Sequence, residues 1–166
     1  MIPVKIVQER LSNYTPTSSN DLLTIPLTEI GWQLKLAFQK ADTIGCRLWE
    51  ITCQRIAAGG WTYLVKKKAE SLAKRVSGLL EPLCLYEYDA VRDVALLRSH
   101  TPTFEGEQRS FYNLLIARDS ITLTRIMRGL DRKSTPDTSS GHNRDMIPFS
   151  LTYDALFKFL TDLGVE

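Results

Sequence analysis

The chain has 166 residues, of which 43% are hydrophobic and 24% are charged, and its formal net charge is +2. This composition excludes an intrinsically disordered chain, and the near-neutral charge gives no polyanion-binding signature. No apolar run approaches the roughly 20 residues that a membrane helix needs, and the N-terminus lacks a basic start followed by an apolar block. We therefore expect one domain over residues 1–166, located in the cytoplasm and without a membrane partner.

A polar, turn-rich stretch opens the chain and a strongly apolar one follows it. Residues 12–26 begin Ser-Asn-Tyr-Thr-Pro-Thr-Ser-Ser-Asn, which predicts a loop or mobile arm. Over residues 29–57, Thr28 is a candidate N-cap and the apolar spacing favours two successive helices. Apolar residues also recur at every second position in this segment, at Trp32, Leu34, Leu36 and Phe38. A hairpin turning at residues 41–45 therefore remains the alternative.

The clearest helical pattern follows Gly59-Gly60 and covers residues 61–80. Its apolar residues recur at helical spacing and form one stripe that we expect to pack on a sheet: Trp61, Leu64, Val65, Ala69, Leu72, Ala73, Val76, Leu79 and Leu80. Pro82 ends the helix, because proline disfavours helical geometry in the preceding residue. The opposite face carries Lys66, Lys67, Lys74 and Arg75. We interpret it as a solvated face, with phosphate contact as the functional alternative.

Four strands are predicted next, over residues 83–88, 94–99, 110–117 and 121–124. Asp89 begins a turn between the first two, and Arg118-Asp119-Ser120 reverses the chain between the last two. The product is an antiparallel meander. In its last strand Arg125 continues the side of Ile121 and Leu123, while the threonines occupy the other side. One of the two faces therefore meets water.

The C-terminal part divides into a polar excursion and a helix. Residues 128–146 are too polar to offset the entropy of ordering, so they predict a flexible excursion. Thr152 is a candidate N-cap, Gly164 closes the helix, and the buried stripe between them is Ala155, Leu156, Phe159, Leu160 and Leu163. The sequence thus predicts an α+β fold: a four-stranded antiparallel meander packed against an N-terminal helical portion and a C-terminal helix.

The sequence carries no specific catalytic motif. It contains neither a nucleophile elbow nor a phosphate-binding glycine loop, so no catalytic residue is predicted. Cys46, Cys53 and Cys84 lack the spacing of a metal site, which indicates free thiols in a reducing compartment and no metal ligands. His100 with Glu105 and Glu107 is a group that can support acid-base or metal chemistry, and it makes an enzyme our third hypothesis.

A ligand-binding surface is the second hypothesis. It combines His100 with aromatic residues on neighbouring strands, namely Tyr86, Tyr88, Phe111 and Tyr112. Such residues can stack on single-stranded nucleic acid or on a planar ligand such as haem, for which His100 is a candidate axial ligand. Because no haem attachment motif is present, we predict no cofactor and keep haem as the alternative.

The first hypothesis is binding of a protein. A second basic set spans the last strand and the start of the polar excursion and either protects an exposed sheet edge or contacts an acidic partner: Arg118, Arg125, Arg128, Arg132 and Lys133. The candidate partner-binding residues are Arg118, Arg125 and Arg128 together with Lys66, Lys67 and Lys74. We expect a protein-interaction or regulatory module that binds a protein partner or forms a homo-oligomer, in preference to nucleic acid.

Overall fold

The computed structural model describes residues 1–56, 64–129 and 145–165. Within these ranges the chain forms three helices, α1 (Val4–Ser12), α2 (Val65–Arg75) and α3 (Tyr153–Leu163). The strands are β1 (Asp21–Leu27), β2 (Trp32–Ala41), β3 (Gly45–Arg55), β4 (Leu83–Asp89), β5 (Val94–Ser99), β6 (Thr103–Glu105), β7 (Gln108–Ile116), β8 (Ser120–Gly129), β9 (Met146–Ile147) and β10 (Phe149–Thr152). The α+β class with an antiparallel sheet is confirmed.

Over the part of the chain that the structure describes, the sheet has ten strands, not the four that the sequence predicted. Its main order is β1-β2-β3-β8-β7-β5-β4, so the predicted meander is only one side of a larger sheet. The last residues of β3 pair with β8, whereas its first residues pair with β10, and β9 pairs with the distal part of β8. The β9 and β10 strands therefore lie between β3 and β8 where these two separate.

The preferred helical prediction for residues 29–57 was wrong, and the hairpin alternative describes this segment. After a short 3-10 turn at Thr28–Ile30, β2 and β3 pair antiparallel and reverse between Ala41 and Gly45. The alternating residues Trp32, Leu34, Leu36 and Phe38 are all fully buried. Their period of two fits a sheet with one face in the core, and this burial outweighed the weaker helical spacing.

The helix predicted over residues 61–80 is shorter in the structure. Residues 57–63, including Trp61, lie outside the described residues, and Leu64 and Leu80 are exposed. The helix α2 ends at Arg75: Val76 is extended, and the Ser77 amide donates to Asp162 Oδ2 (3.1 Å) instead of to a helical carbonyl. The Arg75 side chain donates to the carbonyls of Asp162 and Leu163 (2.6 and 3.1 Å). The Val65, Ala69 and Leu72 side chains occupy the core, as the stripe predicted.

Residues 12–26 contain more regular structure than the sequence indicated. The helix α1 ends at Ser12, residues 13–20 form neither helix nor strand, and residues 21–27 are β1. The Trp49 indole donates to the Ser19 carbonyl (2.8 Å), which ties this segment to β3. In the predicted excursion over residues 128–146, Arg128 and Gly129 belong to β8 and Met146 to β9, while residues 130–144 lie outside the described part.

The C-terminal helix is present at the predicted position. Thr152 Oγ1 accepts a hydrogen bond from the Ala155 amide (3.2 Å), and Gly164 ends the helix in the left-handed region at φ 50°. Two side chains of α2 donate to carbonyls at the C-terminus of α3. Lys68 donates to the Gly164 carbonyl (2.9 Å), next to the contacts of Arg75 with Asp162 and Leu163. Cations thus satisfy carbonyls that a helix leaves unpaired at its C-terminus.

One hydrophobic cluster joins the core-facing side chains of the sheet to the three helices. Its strand residues come from β1–β5, β7, β8 and β10. Cys46 and Cys53 are buried within it and Cys84 is half-buried, all three as free thiols. Burial raises the pKa of both Cys46 and Cys53 to about 12. Among the described helices, none has the length and apolar character needed to cross a membrane.

Candidate functional site

A buried ion pair joins Glu81 to Arg125 at one end of the sheet. Arg125 Nη1 lies 2.9 Å from Glu81 Oε2, and only 8% of the Glu81 side chain and 14% of the Arg125 side chain are exposed. Both Glu81 oxygens are also hydrogen-bonded: Thr103 donates to Oε1 (2.8 Å) and Ser99 to Oε2 (3.3 Å). The carboxylate is therefore fixed by three groups from three different strands.

Strand register places Arg125 on the core side of the sheet. It lies opposite Tyr112 on β7, two pairs along from the buried pair of Leu114 and Leu123, and residues two apart share a face of the sheet. The guanidinium lies 4.5 Å from the centroid of the Tyr112 ring, and Nη2 donates to Ser110 Oγ (2.9 Å). A cation at a core-facing position needs a buried anion, and Glu81, in the segment between α2 and β4, supplies it.

The guanidinium of Arg125 lines a polar pocket of about 330 Å³ that opens where β9 and β10 separate β3 from β8. Its walls come from β3, β6, β7, β8, β9 and β10, with Leu80 from the segment before β4. The lining residues are Arg47, Leu80, Thr103, Glu105, Gln108, Arg109, Ser110, Tyr112, Arg125, Met127, Ile147, Pro148, Phe149 and Ser150. A volume of this size suits a small polar molecule.

Positive charge exceeds negative charge in the polar pocket. Three arginines line it against Glu105, and Glu81 neutralises one of the three. Arg47 and Arg109 form no ion pair with any described residue. Arg109 also lies directly opposite Arg128 on β8, an arrangement that costs stability because like charges repel across a strand pair.

The Tyr112 hydroxyl adds a neutral donor to this wall. Burial raises its pKa, and the nearby Arg125 opposes that rise only in part. The phenol therefore stays protonated at neutral pH. Its ring is also held by Phe149 of β10 in an edge contact (5.6 Å between centroids), so the side chains around Arg125 are preorganised by packing.

The predicted ligand-binding residues do not form one surface. Because neighbouring residues of a strand point to opposite faces, Tyr112 faces the core and Phe111 the other side. There Arg98 lies between Phe111 and Tyr86, with its guanidinium 4.6 and 3.9 Å from their ring centroids. Tyr88 packs against the core and donates to Asp93 (3.0 Å). The aromatic face predicted for haem or single-stranded nucleic acid is thus split between two sides of the sheet.

His100 is exposed and does not join either aromatic group. Its backbone amide donates to the Pro82 carbonyl (2.8 Å), a bond that extends the pairing of β4 with β5. Glu105 lines the polar pocket, whereas His100 and Glu107 do not. Across the described residues, no group of three or more histidine, cysteine, aspartate or glutamate side chains could hold a metal ion.

The predicted partner-binding residues differ in what they can reach. Arg125 is enclosed by its ion pair and does not lie on the open surface. Arg118 donates to Asp93 (2.9 Å). Burial alone raises the Asp93 pKa, but hydrogen bonds from Arg118 and Tyr88 outweigh it and hold that pKa below its usual range. Arg128 and the α2 residues Lys66, Lys67 and Lys74 are exposed, and their role in partner binding stays a prediction. Arg75, predicted on the same solvated face of α2, contacts α3 instead. Arg132 and Lys133 lie outside the described residues.

The sequence interpretation missed Glu81, Arg47, Arg109 and the hydroxyl groups of Ser99, Thr103 and Ser110. One signal was present: an arginine continued the apolar face of Ile121 and Leu123. A charge at a core-facing strand position requires a buried partner, so Arg125 could have been identified as part of a polar network rather than of a surface.

Comparison of the chain with protein-family models, with curated proteins and with solved structures finds no significant match.

Proposed function

We propose that the protein binds a small anionic molecule, carrying a carboxylate or a phosphate group, in the polar pocket. The observation that carries this proposal is the surplus of guanidinium groups: Arg47 and Arg109 line the pocket without a carboxylate partner among the described residues. Guanidinium groups bind both kinds of anion through paired N–H donors.

The buried network explains why the site would be preformed. Glu81 and Ser110 fix the Arg125 guanidinium from two directions, and the Tyr112 ring supports its face. A ligand would then meet donors that are already ordered, which reduces the entropy cost of binding. The pair of Arg109 and Arg128 across β7 and β8 supports the same interpretation, because an anion bound beside Arg109 offsets their repulsion.

We expect Arg109→Gln and Arg47→Gln each to weaken anion binding about tenfold, equivalent to about 1.4 kcal/mol. The stability of Arg109→Gln should stay within about 0.5 kcal/mol of the parent, since Arg109 is exposed and its removal relieves a like-charge pair. The probes are citrate and inorganic phosphate, titrated separately at constant ionic strength and followed by NMR shifts of the pocket residues. Tighter binding of one probe identifies the carboxylate or the phosphate class.

The matched control is Arg92→Gln, which removes the same charge from a side chain that is 82% exposed and lies outside the pocket. It should leave both affinities unchanged. Equal weakening by Arg92→Gln, or the absence of saturable shifts at Arg47, Arg109 and Tyr112 with both probes, would contradict anion binding at this site.

We keep a protein-interaction module as the second candidate function, favoured by exposed apolar side chains around β4. This strand ends the described sheet, Leu80 before it is 93% exposed and Val91 after it is 97% exposed. An edge strand with such flanks can pair with an extended segment, and acidic residues on that segment would suit Lys66 and Lys67. Sedimentation tests the homo-oligomer form: a monomer at all concentrations, unaffected by Leu80→Ser and Val91→Ser, would exclude it.

A further inference from the structure

A second cavity lies away from the polar pocket, where the end of α1, the turn between β2 and β3, and the start of α3 meet. Its volume is about 640 Å³, roughly that of a site for a drug-sized ligand. Leu11, Tyr14, Asp42, Tyr153 and Phe157 contribute to its lining, and neither the polar pocket nor its arginines take part.

Charge distinguishes this aromatic cavity from the polar pocket. No lysine, arginine or histidine is among its described lining residues, and Asp42 is the single ionisable group there besides two tyrosines. Burial raises the pKa of Tyr14 to about 12 and also raises that of Tyr153, so both phenols are neutral at physiological pH. The cavity therefore carries one negative charge within an aromatic wall.

The Asp42 carboxylate is both fixed and partly available. Its Oδ1 accepts hydrogen bonds from the amides of Ile44 (2.8 Å) and Gly45 (2.9 Å), which hold the turn. The bonds from Gly45 and Ile44 keep the pKa of Asp42 below its usual range, and the positive charge of Lys40 lowers it further. The structure shows no hydrogen bond to Oδ2 from any described residue. Lys40 lines the shallow groove on the other side of this turn, not the aromatic cavity.

The rings are held at defined positions beside the carboxylate. Tyr153 donates from its hydroxyl to the Asp42 carbonyl (3.0 Å), and its ring lies 6.2 Å from that of Phe157 with an angle of 18° between their planes. Tyr14 packs on Phe38 with 5.0 Å between ring centroids. Aromatic faces attract cations through their electron density, and the attraction increases when water is excluded.

We propose that the aromatic cavity binds a small organic cation of the alkylammonium class, with its charged group between the aromatic rings and Asp42. The rings supply cation-π contacts, and Asp42 Oδ2 supplies the counter-charge. The aromatic cavity would thus prefer cations, whereas the polar pocket would prefer anions. This inference does not depend on anion binding in the polar pocket.

The test uses choline as the probe and compares it with the neutral carbon isostere in which a tert-butyl group replaces the trimethylammonium group. We expect saturable binding of choline to the full-length protein by calorimetry, with at least tenfold weaker binding of the isostere. Asp42→Asn should reduce choline affinity at least tenfold, because asparagine keeps the Oδ1 acceptor of the turn but removes the charge. Phe157→Leu should have a similar effect through loss of a ring.

A control separates this site from general electrostatics. Asp154→Asn removes an exposed charge from the first turn of α3 outside the cavity, so it should leave choline binding within about twofold of the parent. Equal affinity for the neutral isostere, no saturable choline binding, or unchanged affinity in a folded Asp42→Asn variant would each overturn the proposal.

Discussion

Replacing Glu81 with alanine should lower the free energy of unfolding by about 3 kcal/mol, because it leaves the Arg125 guanidinium buried without a counter-charge. The substitution also removes the acceptor for Thr103 and Ser99. Arg125→Met should cost at least as much, since it removes the contact with the Tyr112 ring in addition to the ion pair. Urea unfolding followed by fluorescence and circular dichroism measures both values.

A double-mutant cycle identifies the ion pair as the cause. In the Glu81→Ala background, Arg125→Met should cost clearly less than it does in the parent protein, because the charge that needs a partner has already lost it. Glu105→Ala is the matched control: this exposed carboxylate lines the same pocket but forms no ion pair among the described residues, so the change should stay within about 0.5 kcal/mol. Additive losses from Glu81 and Arg125 would contradict the coupling.

Local signals predicted those parts of the fold that local chemistry determines. The Thr152 hydroxyl and Gly164 define the ends of α3, and the Asp89 carboxylate accepts from the amides of Val91 and Arg92 in the turn between β4 and β5. Each of these features depends on groups only a few residues apart. They could therefore be identified from the sequence alone.

Two periodicities competed in the segment that became β2 and β3. Leu34 and Phe38 fit a helical step of four, but Trp32 and Leu36 complete an alternation that only a strand buries on one side. The pairing partners decide the outcome: β2 pairs with β1 and β3, and β3 pairs in turn with β8, which is distant in sequence. Leu64 and Leu80 were predicted in the buried stripe of the helix, but both are exposed. A helical pattern alone does not show which apolar residues face the core.

The polar pocket depends on such distant pairings. Glu81 lies just before β4, and it meets Arg125 of β8 only because the sheet brings these two distant segments together. No local pattern around Glu81 indicates a partner. The split of the aromatic residues follows from parity: Phe111 and Tyr112 are adjacent and so belong to opposite faces. That much could have been predicted once β7 was identified as a strand.

Gly45→Ala should lower the free energy of unfolding by about 2–3 kcal/mol, since β10 would have to move away from β3 to admit a methyl group. Gly45 lies opposite Thr152, and a Cβ atom there would overlap the Leu151 carbonyl oxygen and lie 3.0 Å from the Thr152 Cα. Both are backbone atoms, so β10 must shift as a whole.

The consequence of that shift reaches the polar pocket, because β10 carries Phe149, which packs on Tyr112 and lines the pocket. We therefore expect Gly45→Ala to weaken citrate and phosphate binding as well as stability, although the residue lies outside the polar pocket. Gly129→Ala is the matched control, since a Cβ at this β8 position meets nothing within 4 Å. Urea unfolding should place it within about 0.5 kcal/mol of the parent. A Gly45→Ala protein as stable as Gly129→Ala would show that β10 can move away from β3 without disturbing the core.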